Sequence, residues 1–125
     1  MAKFADDAIM NLALDSVKAS TKRMTVCAGQ PATFASATTQ GAQMLAQVIT
    51  SAGSFGSTAD GDSSGRKIAV SQHSGIEVSA TGGGNHVVLL TSTAIKYITT
   101  ATSQTLTDGN TLTVNAWDIE IADPT

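Results

Sequence analysis

Leu106-Thr107-Asp108-Gly109-Asn110-Thr111-Leu112-Thr113-Val114-Asn115-Ala116-Trp117-Asp118-Ile119-Glu120-Ile121 carries the clearest register signal in the chain. Glycine relieves the steric cost of a positive φ, so Asp108-Gly109-Asn110 predicts a hairpin turn between Leu106 and Leu112. Beyond the turn the apolar positions are Leu112, Val114 and Ala116, then Trp117, Ile119 and Ile121. The period is two throughout, but the parity flips between Ala116 and Trp117. A β-bulge, or a strand that leaves one sheet for another, produces such a flip. Asp118 and Glu120 alternate with the apolar set and read as the solvated face of the same strand.

Working back from this stretch, Val87-Val88-Leu89-Leu90 is apolar at every position, which predicts a central strand covered on both faces, with a helix as one candidate cover. Ile95-Lys96-Tyr97-Ile98 is its expected hairpin partner. Gly82-Gly83-Gly84 predicts a break in the chain ahead of it. Arg66 to Ser71 and Gly75 to Ala80 predict two strands, Ile68 and Val70 answering Ile76 and Val78 across a tight connection at His73-Ser74-Gly75. A polar loop is expected from Ser51 to Gly65. Met44 to Thr50 ends in the β-branched Val48-Ile49-Thr50 and reads as a strand. Residues 32–43 suit either a short helical turn or an irregular loop. Met24, Val26 and Ala28 alternate with Thr25 and Cys27 in a strand from Arg23 that stops at Gly29-Gln30-Pro31.

Before Arg23 the period changes from two to near four. Ala5, Ile9, Leu12, Ala13 and Ser16 form one stripe, widened by Phe4 and Ala8, and predict an amphipathic helix over residues 4–18 that buries this stripe. Asp6 and Asp7 in the first turn and Lys18 in the last suit the helix dipole. The sum predicts a mainly β fold: a compact β-sandwich or open barrel of about seven short antiparallel strands with one N-terminal amphipathic helix. It is expected to be a single domain over 1–125, with the helix at 4–18, the β-rich core at 23–121 and a short tail at 122–125.

Composition narrows the function classes. Charged residues are 14% of the 125, against about 25% in an average soluble domain. The surface is therefore largely hydroxyl and amide, which is easier to desolvate against a partner than a charged one. The net charge is −3, and the seven Lys and Arg residues are scattered, with Lys22-Arg23 and Arg66-Lys67 as the adjacent pairs. Nucleic-acid binding needs clustered cations to release counterions, so no nucleic-acid partner is expected. No run reaches the ~20 apolar residues of a membrane-spanning helix, and Asp6, Asp7 and Asp15 interrupt what a signal peptide would need. No membrane partner is expected, and synthesis is placed in the cytoplasm.

The chemistry-bearing residues favour structure over catalysis. Cys27 stands alone between apolar neighbours and reads as a buried, inert thiol. Asp60, Asp62 and Gly65 resemble the start of a calcium loop, but the twelfth position from Asp60 is Ser71 where a bidentate Glu is required. A turn rich in Asx and Gly is the simpler reading, and whether this loop takes a cation is open. His73 is expected in a turn and His86 at a strand edge, without the spacing of a zinc site or a nucleophile elbow beside them. Gly82-Gly83-Gly84 precedes a strand rather than a helix N-terminus and so is not a phosphate cradle. Trp117 reads as a core or interface anchor sharing a face with Ile119 and Ile121. No catalytic, cofactor-binding or metal-binding residue is assigned, no cofactor is expected, and the chain is read as a non-enzyme. A carbohydrate-binding or hydrolytic sandwich would need more aromatics than the 4% present, or a carboxylate pair across a cleft.

Five segments carry a resemblance. They are Met1-Ala2-Lys3-Phe4-Ala5-Asp6, Gly61-Asp62-Ser63-Ser64-Gly65-Arg66-Lys67, His86-Val87-Val88-Leu89, Tyr97-Ile98-Thr99-Thr100 and the closing Ala116-Trp117-Asp118-Ile119-Glu120-Ile121-Ala122-Asp123-Pro124. Together they make the chain similar to a family of small structural proteins of tailed phages, encoded among virion genes, and the closing segment is the most specific. The resemblance implies a virion protein of capsid cement or decoration type, a homo-oligomer that binds the major capsid protein or other virion proteins. A neck, tail or fibre-base adaptor of the same virion is the alternative it leaves open.

Overall fold

The computed structural model describes residues 5–41 and 43–123. Along the chain run α1 (Asp7–Ser20), β1 (Arg23–Cys27), α2 (Phe34–Thr38), β2 (Met44–Ile49), a 3₁₀ turn (Ala52–Ser54), β3 (Ala59–Asp60), β4 (Arg66–Val70), β5 (His73–Glu77), β6 (Gly82–Leu90), β7 (Ile95–Leu106), β8 (Thr111–Val114) and β9 (Trp117–Ile121). The fold is mainly β, as expected, with antiparallel sheets and no closed barrel. Nine short strands replace the seven anticipated, because the final run is divided and the polar loop before Gly65 contributes β3.

Strand order is β2-β1-β6-β7 in the largest sheet, β3-β4-β9 in a second and β5-β8 in a third. Met24, Val26, Val87 and Leu89 from the large sheet meet Ile68, Val70, Ile76 and Ile119 from the two smaller ones, with Val78 just past β5, in one buried cluster. This is a sandwich-like arrangement, with the small sheets together forming the second layer. Its apolar side chains supply the driving force, each fully buried Leu, Ile or Val contributing about 1.5–3 kcal/mol.

β6 is the central strand the sequence predicts, with Val87 to Leu90 all buried. One face joins the main cluster. The other is covered by α2 rather than α1, in a second cluster of Cys27, Ala37, Val88 and Leu90 with Phe34, Ile95 and Ile98 around it. The α2 segment lies in the stretch left open between turn and loop. Thr33 caps it, accepting from the Ser36 N–H at 3.1 Å while Ser36 Oγ accepts the Thr33 N–H at 3.2 Å. Such a reciprocal box is the local signal that starts a short helix.

α1 corrects the expected helix face and its ends. Asp6 caps the helix through Ala8 N–H at 2.8 Å, and the helix runs on to Ser20 rather than ending at residue 18. The expected start at residue 4, with Phe4 in the stripe, lies outside the described residues. Met10 and Leu14 are the buried residues, while Ile9 is 63% exposed and Leu12 67% exposed. Two polar ties fix that rotation: Arg66 Nε donates to Asn11 Oδ1 at 2.9 Å, and Lys18 Nζ donates to the Gly56 carbonyl at 3.2 Å. Asn11, Leu14 and Lys18 share a face at spacings of three and four, so satisfying both ties turns Leu14 inward and Leu12 outward.

Three pairings also differ from expectation. β4 and β5 do not form a hairpin; β4 pairs with β9, and β5 with β8. Their link is Ser71-Gln72, which supplies neither of the positive-φ residues a two-residue hairpin favours. Gly82-Gly83-Gly84 is no break but the first third of β6, paired with Leu106, Thr105 and Gln104 of β7. A Cβ on Gly84 would come within 2.9 Å of Leu106 Cδ1 and 3.0 Å of Val26 Cγ1, so the strand is glycine because its neighbours close over it. The Asp108-Gly109-Asn110 turn forms, with φ +91° at Gly109, but β7 and β8 leave it for different sheets. The parity flip at Ala116 is a change of sheet rather than a bulge, the second of the two origins the sequence allows, β8 lying in the β5-β8 pair and β9 beside β4.

Candidate functional site

The far half of β7 has an unusual environment. Thr100 to Thr105 are six consecutive exposed residues within a strand. Across the ladder Gly83 and Gly84 of β6 face Thr105 and Gln104 and offer no side chains, His86 faces Thr100, and the register slips so that Ala101, Thr102 and Ser103 face Asn85 alone. β7 is the last strand of its sheet, so its outer edge has no ladder partner among the described residues. β8 and β9 pair on one side only, with β5 and β4.

Between β7 and the β8–β9 crossing lies an open cleft of about 500 Å³, reaching down to Val26, Gly84 and Val87 of the large sheet. A second hollow of about 330 Å³ continues beneath Gln104 to Thr107 and Asn110 to Thr113. The walls are threonine hydroxyls, the Gln104 and Asn115 amides, and the apolar Leu106, Leu112 and Val114. At one end Trp117 stacks on Tyr97, ring centroids 5.9 Å apart and planes 26° apart. The Trp117 indole nitrogen is buried and has no hydrogen-bond partner among the described residues. Trp117 is thus the anchor the sequence suggests, half-buried at the cleft wall.

The acidic loop is engaged with its own cations. Asp60 pairs with Arg66, Asp62 with Lys67 at 2.7 Å, and Lys67 also reaches Asp118 at 3.4 Å. Glu120 Oε1 accepts the Asp62 N–H at 2.6 Å. The hydrogen bond from Lys67 to Asp62 raises the ammonium pKa, with the nearby Asp118 charge acting in the same direction. Asp60 and Asp62 therefore stitch the loop to β4 and β9. Among the described residues no three His, Cys, Asp or Glu side chains gather in a way that would hold a metal ion.

The two histidines are not where the sequence places them. His73 opens β5 rather than sitting in a turn, and its Nδ1 is buried without a partner among the described residues. His86 is inside the large sheet, flanked by Cys27 of β1 and Thr100 of β7, rather than at a strand edge. The Asn85 side-chain oxygen Oδ1 accepts the Gly29 N–H at 2.7 Å and lies 2.7 Å from His86 Nδ1. An amide oxygen can only accept, so with this arrangement Nδ1 carries the proton; the Asn85 side chain ties the β1–α2 connection to β6, and the imidazole orients that side chain. Cys27 is fully buried as expected; burial pushes its thiol pKa up, and the Thr25 hydroxyl at 3.6 Å opposes that in part.

The feature that residue-by-residue reading passed over is the bare β7 edge. Its signal is visible in hindsight: Tyr97 to Thr107 contains no charged residue and no proline, between Lys96 and Asp108. Natural edges are usually blunted by such residues. Comparison with protein-family models, with curated proteins and with solved structures finds no match for this chain.

Proposed function

We propose that this chain is a structural protein of a tailed-phage virion, a non-enzymatic capsid cement protein that binds and stabilises the lattice of the major capsid protein. The observation that carries the reading is the uncharged edge from Tyr97 to Thr107, left bare beside an open cleft in a fold whose core is otherwise closed. A strand edge offers main-chain hydrogen bonds to any extended partner, and hydroxyl side chains lose little hydration on contact. Exposed Ile9, Leu12 and Ile49 add apolar contact area elsewhere on the surface. Contacts of this sort, repeated over symmetric copies, give a weak individual interaction a large summed effect. The similarity of the closing segment to small tailed-phage virion proteins supports the same reading. On it, the protein is made in the host cytoplasm and resides in the particle.

The test is a pair of measurements on purified particles. Quantitative mass spectrometry is expected to find this chain in hundreds of copies, and particles lacking it are expected to lose DNA at a lower temperature. A single ring's worth of copies would move the protein to the neck, tail or fibre base. Absence from the particle, or equal heat resistance without it, would overturn the cement role.

A further inference from the structure

We propose that β7 is a self-association edge: two copies of this chain join their large sheets by antiparallel pairing of β7 with β7 about a two-fold axis at Thr102. This rests on the same bare edge as the virion reading and deepens it: the edge is given to a second copy of this chain, so that the paired dimer, through its remaining surface, is what would meet other virion proteins. The large sheet has two ends, and they are treated differently. At the β2 end, Ala46 bridges Val78, and the Leu45 carbonyl accepts the N–H groups of Ser79 and Ala80, so the first half of that edge is covered. At the β7 end, no strand pairs with the outer edge among the described residues. The slipped register there adds to the need, because Ala101 to Ser103 have a single β6 residue opposite them. Backbone N–H and C=O groups in that stretch are completed by water or by another chain.

Charge selects the second copy as the occupant. An isologous contact places the same segment on both sides, so any charge within it meets its own kind in the neighbourhood of the axis. Tyr97 to Thr107 carries none. Antiparallel pairing centred on Thr102 sets Ile98 against Leu106, Thr99 against Thr105 and Thr100 against Gln104 of the second copy. The same register brings Lys96 opposite Asp108 of the second copy, and Asp108 opposite its Lys96. Both side chains are exposed and make no ion pair or side-chain hydrogen bond among the described residues. One charge pair thus closes each end of a neutral strand, and a shift of the axis by one residue would separate both pairs.

Sedimentation velocity of the full chain across about a hundredfold range of micromolar concentration tests the pairing. Wild type is expected to dimerise. K96D and D108K each set like charges opposite one another at both ends and should raise the dimer Kd about tenfold. The double variant K96D/D108K restores opposite charges and should return to within about twofold of wild type. Thr102→Pro removes a central donor and should leave a monomer. Both charge positions are exposed, so unchanged circular dichroism and thermal unfolding are expected for the swaps, and these identify any loss that is merely misfolding. A chain that stays monomeric throughout, its slipped edge serving to repel partners, overturns the proposal. So does a dimer that ignores the single swaps or is not rescued by the double one.

Discussion

Replacing Gly65 by alanine separates two costs that are usually confounded at a turn glycine. Gly65 has φ +71°, and a Cβ there would lie 1.8 Å from the Ile121 carbonyl oxygen and 2.9 Å from Ala122 Cα. Gly109 has φ +91° and nothing within 4 Å of the same atom. The left-handed conformation alone costs an alanine about 1–2 kcal/mol, and both sites bear it. At Gly65 the overlap is with backbone, so β9 must move away from β4 at the Arg66–Ile121 pair. The same movement strains the bond from Gly61 N–H to the Gly65 carbonyl, 2.9 Å long. One lost hydrogen bond at about 1 kcal/mol, and displaced packing at about 1–3 kcal/mol, bring the expected total for Gly65→Ala to about 3–6 kcal/mol. Gly109→Ala should lose only about 1–2 kcal/mol. In urea, with a slope of about 1–3 kcal/mol per molar, the two midpoints should differ by about 1 M or more. If the two variants lose stability equally, to within about 0.5 kcal/mol, the close approach of β9 to the loop is wrong.

The rotation of α1 predicts that Leu14→Ala costs about 2–5 kcal/mol while Leu12→Ala stays within about 0.5 kcal/mol of wild type, both read from urea midpoints; the reverse order would restore the stripe read from sequence. Cys27 gives a pH test. Because burial raises its thiol pKa in the fold, the unfolded chain deprotonates first, binds fewer protons above the ordinary thiol value of 9.0, and stability falls as pH rises through that value towards the folded one. Cys27→Ala should flatten that alkaline slope, and identical slopes in the two proteins would contradict the burial. Removing the Thr33 cap by Thr33→Ala should cost about 0.5–2 kcal/mol and loosen the α2 cover, seen as faster amide exchange at Val88 and Leu90.

What the sequence made legible was whatever depends on a residue's immediate neighbours. Met24 to Cys27, Val87 to Leu90, Leu112 to Val114 and Trp117 to Ile121 all have a period of two or an unbroken apolar run, and each lies in a strand. The change of parity at Ala116 marked the place where the chain passes between sheets, although parity alone allows a bulge there equally well. Partner choice was less legible. Ile68 and Val70 alternate equally well against Ile76 and Val78 or against Ile119 and Trp117, and the alternation does not say which. The second pairing joins residues about fifty apart in sequence, and the Ser71-Gln72 link is what disfavours the first.

The same distinction explains why the bare β7 edge was invisible until the sheets were assembled. Thr99 to Thr105 is as β-prone as any strand interior, and nothing local marks whether one or two neighbours will pair with it. Only the sheet order leaves it outermost, and only the slipped register and the glycines opposite Gln104 and Thr105 leave Thr100 to Thr105 exposed. α1 shows the converse. Ile9-Leu12-Ala13 and Met10-Leu14-Val17 are both credible inward stripes on a helix with few charges, and the choice falls to Asn11 and Lys18, whose partners Arg66 and Gly56 lie on elements far along the chain. In a chain this poor in charge, the rare polar tie fixes orientation that hydrophobic patterning leaves degenerate. A consequence is that Asn11→Leu, although it adds apolar surface, should loosen α1: it leaves the half-buried Arg66 Nε–H without its partner, while Asp60 keeps the other end of the guanidinium, at a cost of about 1–3 kcal/mol. Faster amide exchange along Met10 to Lys18 would show it, and exchange unchanged from wild type would return the choice of face to hydrophobic packing alone.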